Sequence, residues 1–102
     1  MAVVKLDEES FEALIGRPGK ALVCFVADWS AECRAFAPVL EEAACLIEPR
    51  GDTVATLDVA ACPDIAACLG IGTVPSLVLF EGEREVRRLS GTPGCDDLVA
   101  LF

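Results

Sequence analysis

The fold turns on the stretch Ala21-Leu22-Val23-Cys24-Phe25-Val26-Ala27-Asp28-Trp29-Ser30-Ala31-Glu32-Cys33-Arg34-Ala35-Phe36-Ala37-Pro38. Residues 21–27 are an uninterrupted apolar run of strand length, which predicts a central strand buried on both faces. Asp28 and Trp29 break the run, and Ser30 suits the N-cap of a helix predicted to reach Ile47. Pro38 falls inside that helix, where its missing N–H removes one hydrogen bond and predicts a kink. A strand-to-helix turn of this kind favours thiol chemistry. A cysteine in the first turn faces unpaired N–H groups and the positive end of the helix dipole, which stabilise a thiolate. A second cysteine three residues on lies one turn away, within reach of a mixed disulfide formed at the first. Here those two positions hold Ser30 and Cys33.

Working outward, residues 3–6 read as a short edge strand, and Asp7 as the cap of a helix through Ile15. Phe11, Leu14 and Ile15 share one face of that helix and belong to the core; Gly16 stops it. On the other side, Thr53 to Val59 is a second largely apolar strand. Pro63 opens a short helix ending near Gly70, and Ser76 to Phe80 is a further strand. Glu81 and Gly82 turn the chain into Glu83 to Ser90, a hairpin, and a last helix runs from Cys95 to Leu101. The order βαβαβαββα predicts one α/β domain over residues 1–102. Its central mixed sheet is flanked by helices, with parallel crossovers and a closing antiparallel hairpin.

Composition narrows the function classes. The 102 residues are 54% hydrophobic, enough for a real core, yet no apolar run reaches the roughly 18 residues of a membrane span. The N-terminus lacks a basic region followed by a long apolar stretch, so no leader is expected and a cytoplasmic location is the default. Seventeen acids against eight bases give a net charge of −9. That excludes a nucleic-acid surface, since Arg84, Arg87 and Arg88 are too few and are flanked by acids. The six cysteines include no Cys-x-x-Cys pair and the chain has no histidine, so neither a disulfide scaffold, nor a metal, nor another cofactor is expected. Cys24 and Cys45 read as small core residues. Cys62 and Cys95 lie near helix starts, where a lowered pKa is an option, but surface thiols of no consequence are the simpler reading. Cys62 and Cys68 would stand about 9 Å apart along one helix, beyond the reach of about 7 Å for a disulfide.

Residues 23–38 resemble the thioredoxin signature, in which a buried strand leads to Trp-Cys-Gly-Pro-Cys-Lys and then Ala-Pro. Gly72-Thr73-Val74-Pro75-Ser76 resembles the loop whose proline is cis and faces the active site. Phe80-Glu81-Gly82-Glu83 resembles the hairpin turn, and Gly91 the glycine lining the substrate groove. The resemblance covers nearly the whole chain. It implies the thioredoxin fold and an activity of thiol–disulfide exchange, namely protein-disulfide reduction and electron relay from a reductase. It also implies Cys33 as the resolving thiol and Trp29, Val74, Pro75 and Gly91 as the apolar surface that binds substrate. The backbone of Val74 would pair with an extended segment of the partner as an added strand. The implied partners are disulfide-bearing proteins and a thioredoxin reductase, and a monomer is the default for this size.

The departures carry equal weight. Ser30 stands where the family has its attacking cysteine, and a hydroxyl with no histidine to activate it does not attack disulfides at neutral pH. Cys24 stands where many thioredoxins have a buried Asp, and Thr56 where they have its Lys partner. Both halves of the pair thought to move the resolving thiol's proton are gone. Three readings of Ser30 stay open. It is a trapping substitution for a natural cysteine, or the mark of a natural monothiol protein with slow exchange at Cys33. Alternatively it is only a cap, in a non-catalytic module that docks extended segments. Cys24 can lie beneath Cys33, where the two either bridge or, more simply, stay as buried inert thiols.

Overall fold

In the computed structural model, which describes residues 2–102, the apolar run becomes the middle strand of a five-stranded sheet. The elements in chain order are β1 (Val4–Leu6), α1 (Glu8–Ile15), β2 (Lys20–Val26), α2 (Ala31–Ile47) and β3 (Thr53–Asp58). They continue with α3 (Pro63–Cys68), β4 (Ser76–Glu81), β5 (Arg84–Ser90) and α4 (Cys95–Ala100). The sheet order is β1-β3-β2-β4-β5. β1, β3 and β2 run parallel, while β4 and β5 are antiparallel to their neighbours. The mixed α/β architecture is the one the order of elements predicts, and β1 lies at the sheet edge.

Residues on β2 alternate between two cores because successive side chains leave opposite faces of a strand. Leu22 and Cys24 pack with Phe36, Leu40 and Ile47 of α2 and with Leu98 of α4. Val23 and Phe25 point the other way, toward Phe11 of α1, Cys62 and Phe80. Phe11 meets Phe80 edge-on, with ring centroids 5.6 Å apart. Burial on both faces is why the sequence of β2 shows no polar alternation.

The long helix α2 buries Cys33, Phe36, Leu40, Ala43, Ala44 and Ile47, a single stripe at helical spacing. It runs as one helix through Pro38. Pro38 and Arg34, whose carbonyl loses its partner, are both exposed, so water can take up the orphaned group. Cys45 corrects the sequence reading: it is exposed rather than core. It follows Ala44 by one residue, and that step of about 100° carries it off the buried stripe to solvent. Ile15 is half-buried, whereas Phe11 and Leu14 are core as expected.

Asp7 caps α1 through a reciprocal pair of bonds. The Ser10 N–H donates to Asp7 Oδ1 at 2.7 Å, and the Asp7 N–H donates to Ser10 Oγ at 2.8 Å. These bonds hold the Asp7 carboxyl below its ordinary value of 3.8, chiefly through the Ser10 N–H. A lowered folded-state pKa stabilises the fold above the unfolded value and loses that contribution as pH falls through the folded one. Asp7→Ala should therefore lower the melting temperature at pH 7, and the deficit should shrink once pH drops below 3.8. Thermal melts at pH 7 and pH 3 check this, and a deficit that stays constant would sink it.

Candidate functional site at the end of the central strand

Strand register brings the sequence-predicted residues to one end of the sheet. Phe25 of β2 pairs with Ser76 of β4, and Ser76 pairs with Ser90 of β5. The chain leaving β2 toward Trp29, the chain entering β4 through Val74 and Pro75, and the chain leaving β5 at Gly91 therefore share that end. The Gly91 N–H donates to the Pro75 carbonyl at 3.1 Å, tying two of the three together. Gly91 has φ +92, a left-handed conformation that glycine adopts without steric cost. The Val74–Pro75 peptide is cis. Pro75 is buried, Val74 half-buried, and Trp29 stands out at 69% exposed. A large aromatic left this far in water is not part of the core.

Ser30 is the N-cap of α2, with extended φ and ψ of −87° and 115°. Its Oγ accepts the Cys33 N–H at 3.3 Å, and its own N–H donates to the Ala27 carbonyl at 3.1 Å. The Arg34 guanidinium donates to the Asp28 carbonyl at 2.6 Å and pins the loop from outside. Ser30 is half-buried and Cys33 is only 6% exposed, on the buried stripe of α2.

Cys24 is fully buried under this helix. Burial, and secondarily the charge of Cys33, pushes its thiol up to about 12. Thr56 is its register neighbour on β3 and is half-buried. Two groups that cannot exchange a proton readily at neutral pH thus stand side by side next to Cys33.

The small side chains here leave an open cleft of ≈ 540 Å³. Val26, Ala27, Cys33, Leu40 and Thr56 line it, with Arg34 and Lys5 among its charged residues. Glu41 also lines it, and its carboxylate accepts the backbone N–H groups of Ala2 and Val3. Sequence reasoning missed this cleft. The signal available was the run of small residues at positions 26, 27, 37 and 56, which belong to three different elements and loops.

At the remaining cysteines the structure corrects the surface-thiol reading of Cys62, which is buried, and rules against the lowered-pKa option. Cys62 and Cys95 have raised, not lowered, pKa values. Desolvation is the larger cause in both; the carboxylates of Glu8, Asp7 and Asp58 add to it at Cys62, and those of Glu42 and Asp96 at Cys95. The helices behind them have six residues each, too short for a strong dipole to compensate. Cys62 is buried, Cys95 half-buried and Cys68 exposed. Among the described residues no group of His, Cys, Asp or Glu could hold a metal ion.

A family model described as Thioredoxin matches residues 2–102. The chain belongs to the thioredoxin family. It is 40% identical over 101 residues to a thioredoxin of Alicyclobacillus acidocaldarius subsp. acidocaldarius, covering 97% of this chain and 93% of that one. It is 35% identical over 102 residues to a thioredoxin of Staphylococcus aureus, covering 100% and 96%. A solved mutant thioredoxin from Halobacterium salinarum NRC-1 matches with a TM-score of 0.85 at 28% identity, over 96% of this chain and 85% of that one. These likenesses support a thiol–disulfide oxidoreductase function of the thioredoxin type. Members of the thioredoxin family act on protein disulfides and take electrons from reductases. No helix among the described residues is long and apolar enough to cross a membrane.

Proposed function

We propose that this chain is a thioredoxin-type protein-disulfide oxidoreductase in which Ser30 holds the attacking position as a helix cap and Cys33 supplies the reactive sulfur. The observation that carries the reading is the placement of Cys33. It is the thiol in the first turn of α2, its N–H is held by Ser30 Oγ, and it lies beside the end of the sheet bearing exposed Trp29 and the Val74–Pro75 backbone. Trp29, Val74, Pro75 and Gly91 dock an extended segment of the partner, whose backbone adds to that end at Val74. Cys24 supports the site from below. A reductase keeps the thiols reduced, and the protein works in the cytoplasm.

In the reaction, the Cys33 thiolate attacks one sulfur of the partner's disulfide. A Cys33–partner bond forms, the partner's S–S bond breaks, and the departing sulfur takes up a proton. Mixing the chain with a disulfide-bearing protein and quenching with acid should capture an adduct that peptide mapping places on Cys33. Cys33→Ser should give none. Trp29→Ala should slow adduct formation with the protein substrate more than with a small disulfide. An adduct confined to the exposed Cys45 and Cys68 would overturn the reading.

A further inference from the structure

Cys33 stands between two openings that the sheet order keeps apart. Val74 and Pro75 lead into β4 and Gly91 follows β5, so the docking end lies on the β4–β5 side of β2. The cleft lies on the other side, toward β3 and β1, because Thr56 and its register partner Lys5 line it. Trp29, Val74, Pro75 and Gly91 take no part in its walls. From α2 come Cys33, Ala37, Leu40 and Glu41, which fall at helical spacing on one face.

The cleft suits an uncharged molecule. Val26, Ala27 and Leu40 give it an apolar lining, and its charged residues balance, Lys5 and Arg34 against Asp28 and Glu41. The Arg34 guanidinium is already tied to the Asp28 carbonyl, and the Glu41 carboxylate to the Ala2 and Val3 N–H groups. The Lys5 ammonium and the Asp28 carboxylate that remain are opposite in sign, so the cleft offers no net charge to a charged end-group. Its ≈ 540 Å³ falls within the roughly 300–1,000 Å³ of clefts that take small molecules.

We infer that this cleft is a second entrance to Cys33, admitting small uncharged disulfides with apolar arms, and that Ala37 and Thr56 set the size it admits. The inference rests on Cys33 as the reactive sulfur and adds a substrate class that needs no docking at Trp29. The Cys33 thiolate attacks one sulfur of the small disulfide, a bond forms between them, and the S–S bond of the small molecule breaks. Cys33 is thereby oxidised to a mixed disulfide. The other half leaves as a thiolate, reduced, and takes up the proton that Cys33 gave up.

Ala37 lies one turn beyond Cys33 and is exposed, so enlarging it disturbs no core packing. A helical side chain leans over the turn on its N-terminal side, and a phenylalanine at position 37 therefore covers Cys33. Thr56 is half-buried on β3, where a leucine narrows the cleft from the sheet.

The test uses the whole chain, with 2,2′-dithiodipyridine as the small disulfide and a disulfide-bearing protein as the large one. Peptide mapping counts adducts on Cys33 apart from those on the exposed Cys45 and Cys68. Ala37→Phe should slow the small disulfide at Cys33 by at least about tenfold and change its rate at Cys45 by less than about twofold. Adduct formation between Cys33 and the protein should also change by less than about twofold. Thr56→Leu should repeat the pattern from the other wall. A small-disulfide rate unchanged in both variants overturns the entrance, as does an equal slowing of both substrates, and either result leaves Cys33 as the reactive sulfur. No adduct at Cys33 with either substrate overturns both readings.

Discussion

Ser30→Cys is expected to raise dithiothreitol-driven reduction of a protein disulfide by on the order of 100-fold over the chain carrying Ser30. The hydroxyl already sits where a first-turn nucleophile belongs, capping the helix with its Oγ 3.3 Å from the Cys33 nitrogen. A thiol there inherits the same N–H groups and the N-terminal end of a 17-residue helix, which lower its pKa and leave it ionised near neutrality. Two effects oppose the gain. A sulfur caps a helix less well than a hydroxyl, a loss of about 1 kcal/mol at most that a stable domain absorbs. The larger one is the missing acid–base pair, since Cys24 and Thr56 cannot take the Cys33 proton, and general acid–base help is worth about 100- to 10,000-fold. That loss falls on the resolving step and leaves the attack untouched. Measured in parallel assays, the variant should far exceed the dithiothreitol background, while the original chain, working through Cys33 alone, exceeds it only slightly. If neither exceeds background, proton handling is limiting, and a further Cys24→Asp change should then restore turnover.

How much of this could be read from residues alone depends on whether a feature is local. The strand at 21–27, the caps at Asp7 and Ser30, and the stripe of α2 follow from apolar periodicity and cap chemistry, so they emerge without any tertiary information. The pairing of Cys24 with Thr56 was suggested by resemblance and became a physical neighbourhood only through strand register. The pKa directions at Cys62 and Cys95 run against the lowered value that a helix start allows. A helix start is visible in sequence, but the desolvation that raises both thiols, and the carboxylates of Glu8 and Glu42 that add to it, come from tertiary packing. The cleft beside Cys33 is likewise a sum of absences. Each small side chain is unremarkable alone, and the opening exists only where β1, β3 and α2 converge. Exposure of Cys45 was readable after all, because it sits off a stripe that the sequence already displays.

The same convergence separates stability from chemistry, and Phe25→Ala tests that separation. Phe25 is fully buried on the central strand, between Leu57 on β3 and Ser76 on β4, and packs on the face away from Cys33. Removing a buried phenylalanine costs about 3–5 kcal/mol in lost transfer energy and residual cavity. A domain of this size holds about 5–15 kcal/mol in total, so the change removes a large share of it. The urea midpoint should fall by more than about 1 M with an unchanged slope. Leu46→Ala, at a site 52% exposed on α2, should shift it by less than about 0.5 kcal/mol equivalent. Alkylation of Cys33 in the folded fraction of Phe25→Ala should keep its wild-type rate, because α2 and Cys24 lie on the other face of the sheet. A small midpoint shift would mean that α1 and Phe80 close over the gap. A large rise in Cys33 reactivity would mean that the two faces are mechanically coupled through β2, and that packing around Phe25 helps keep the site shut.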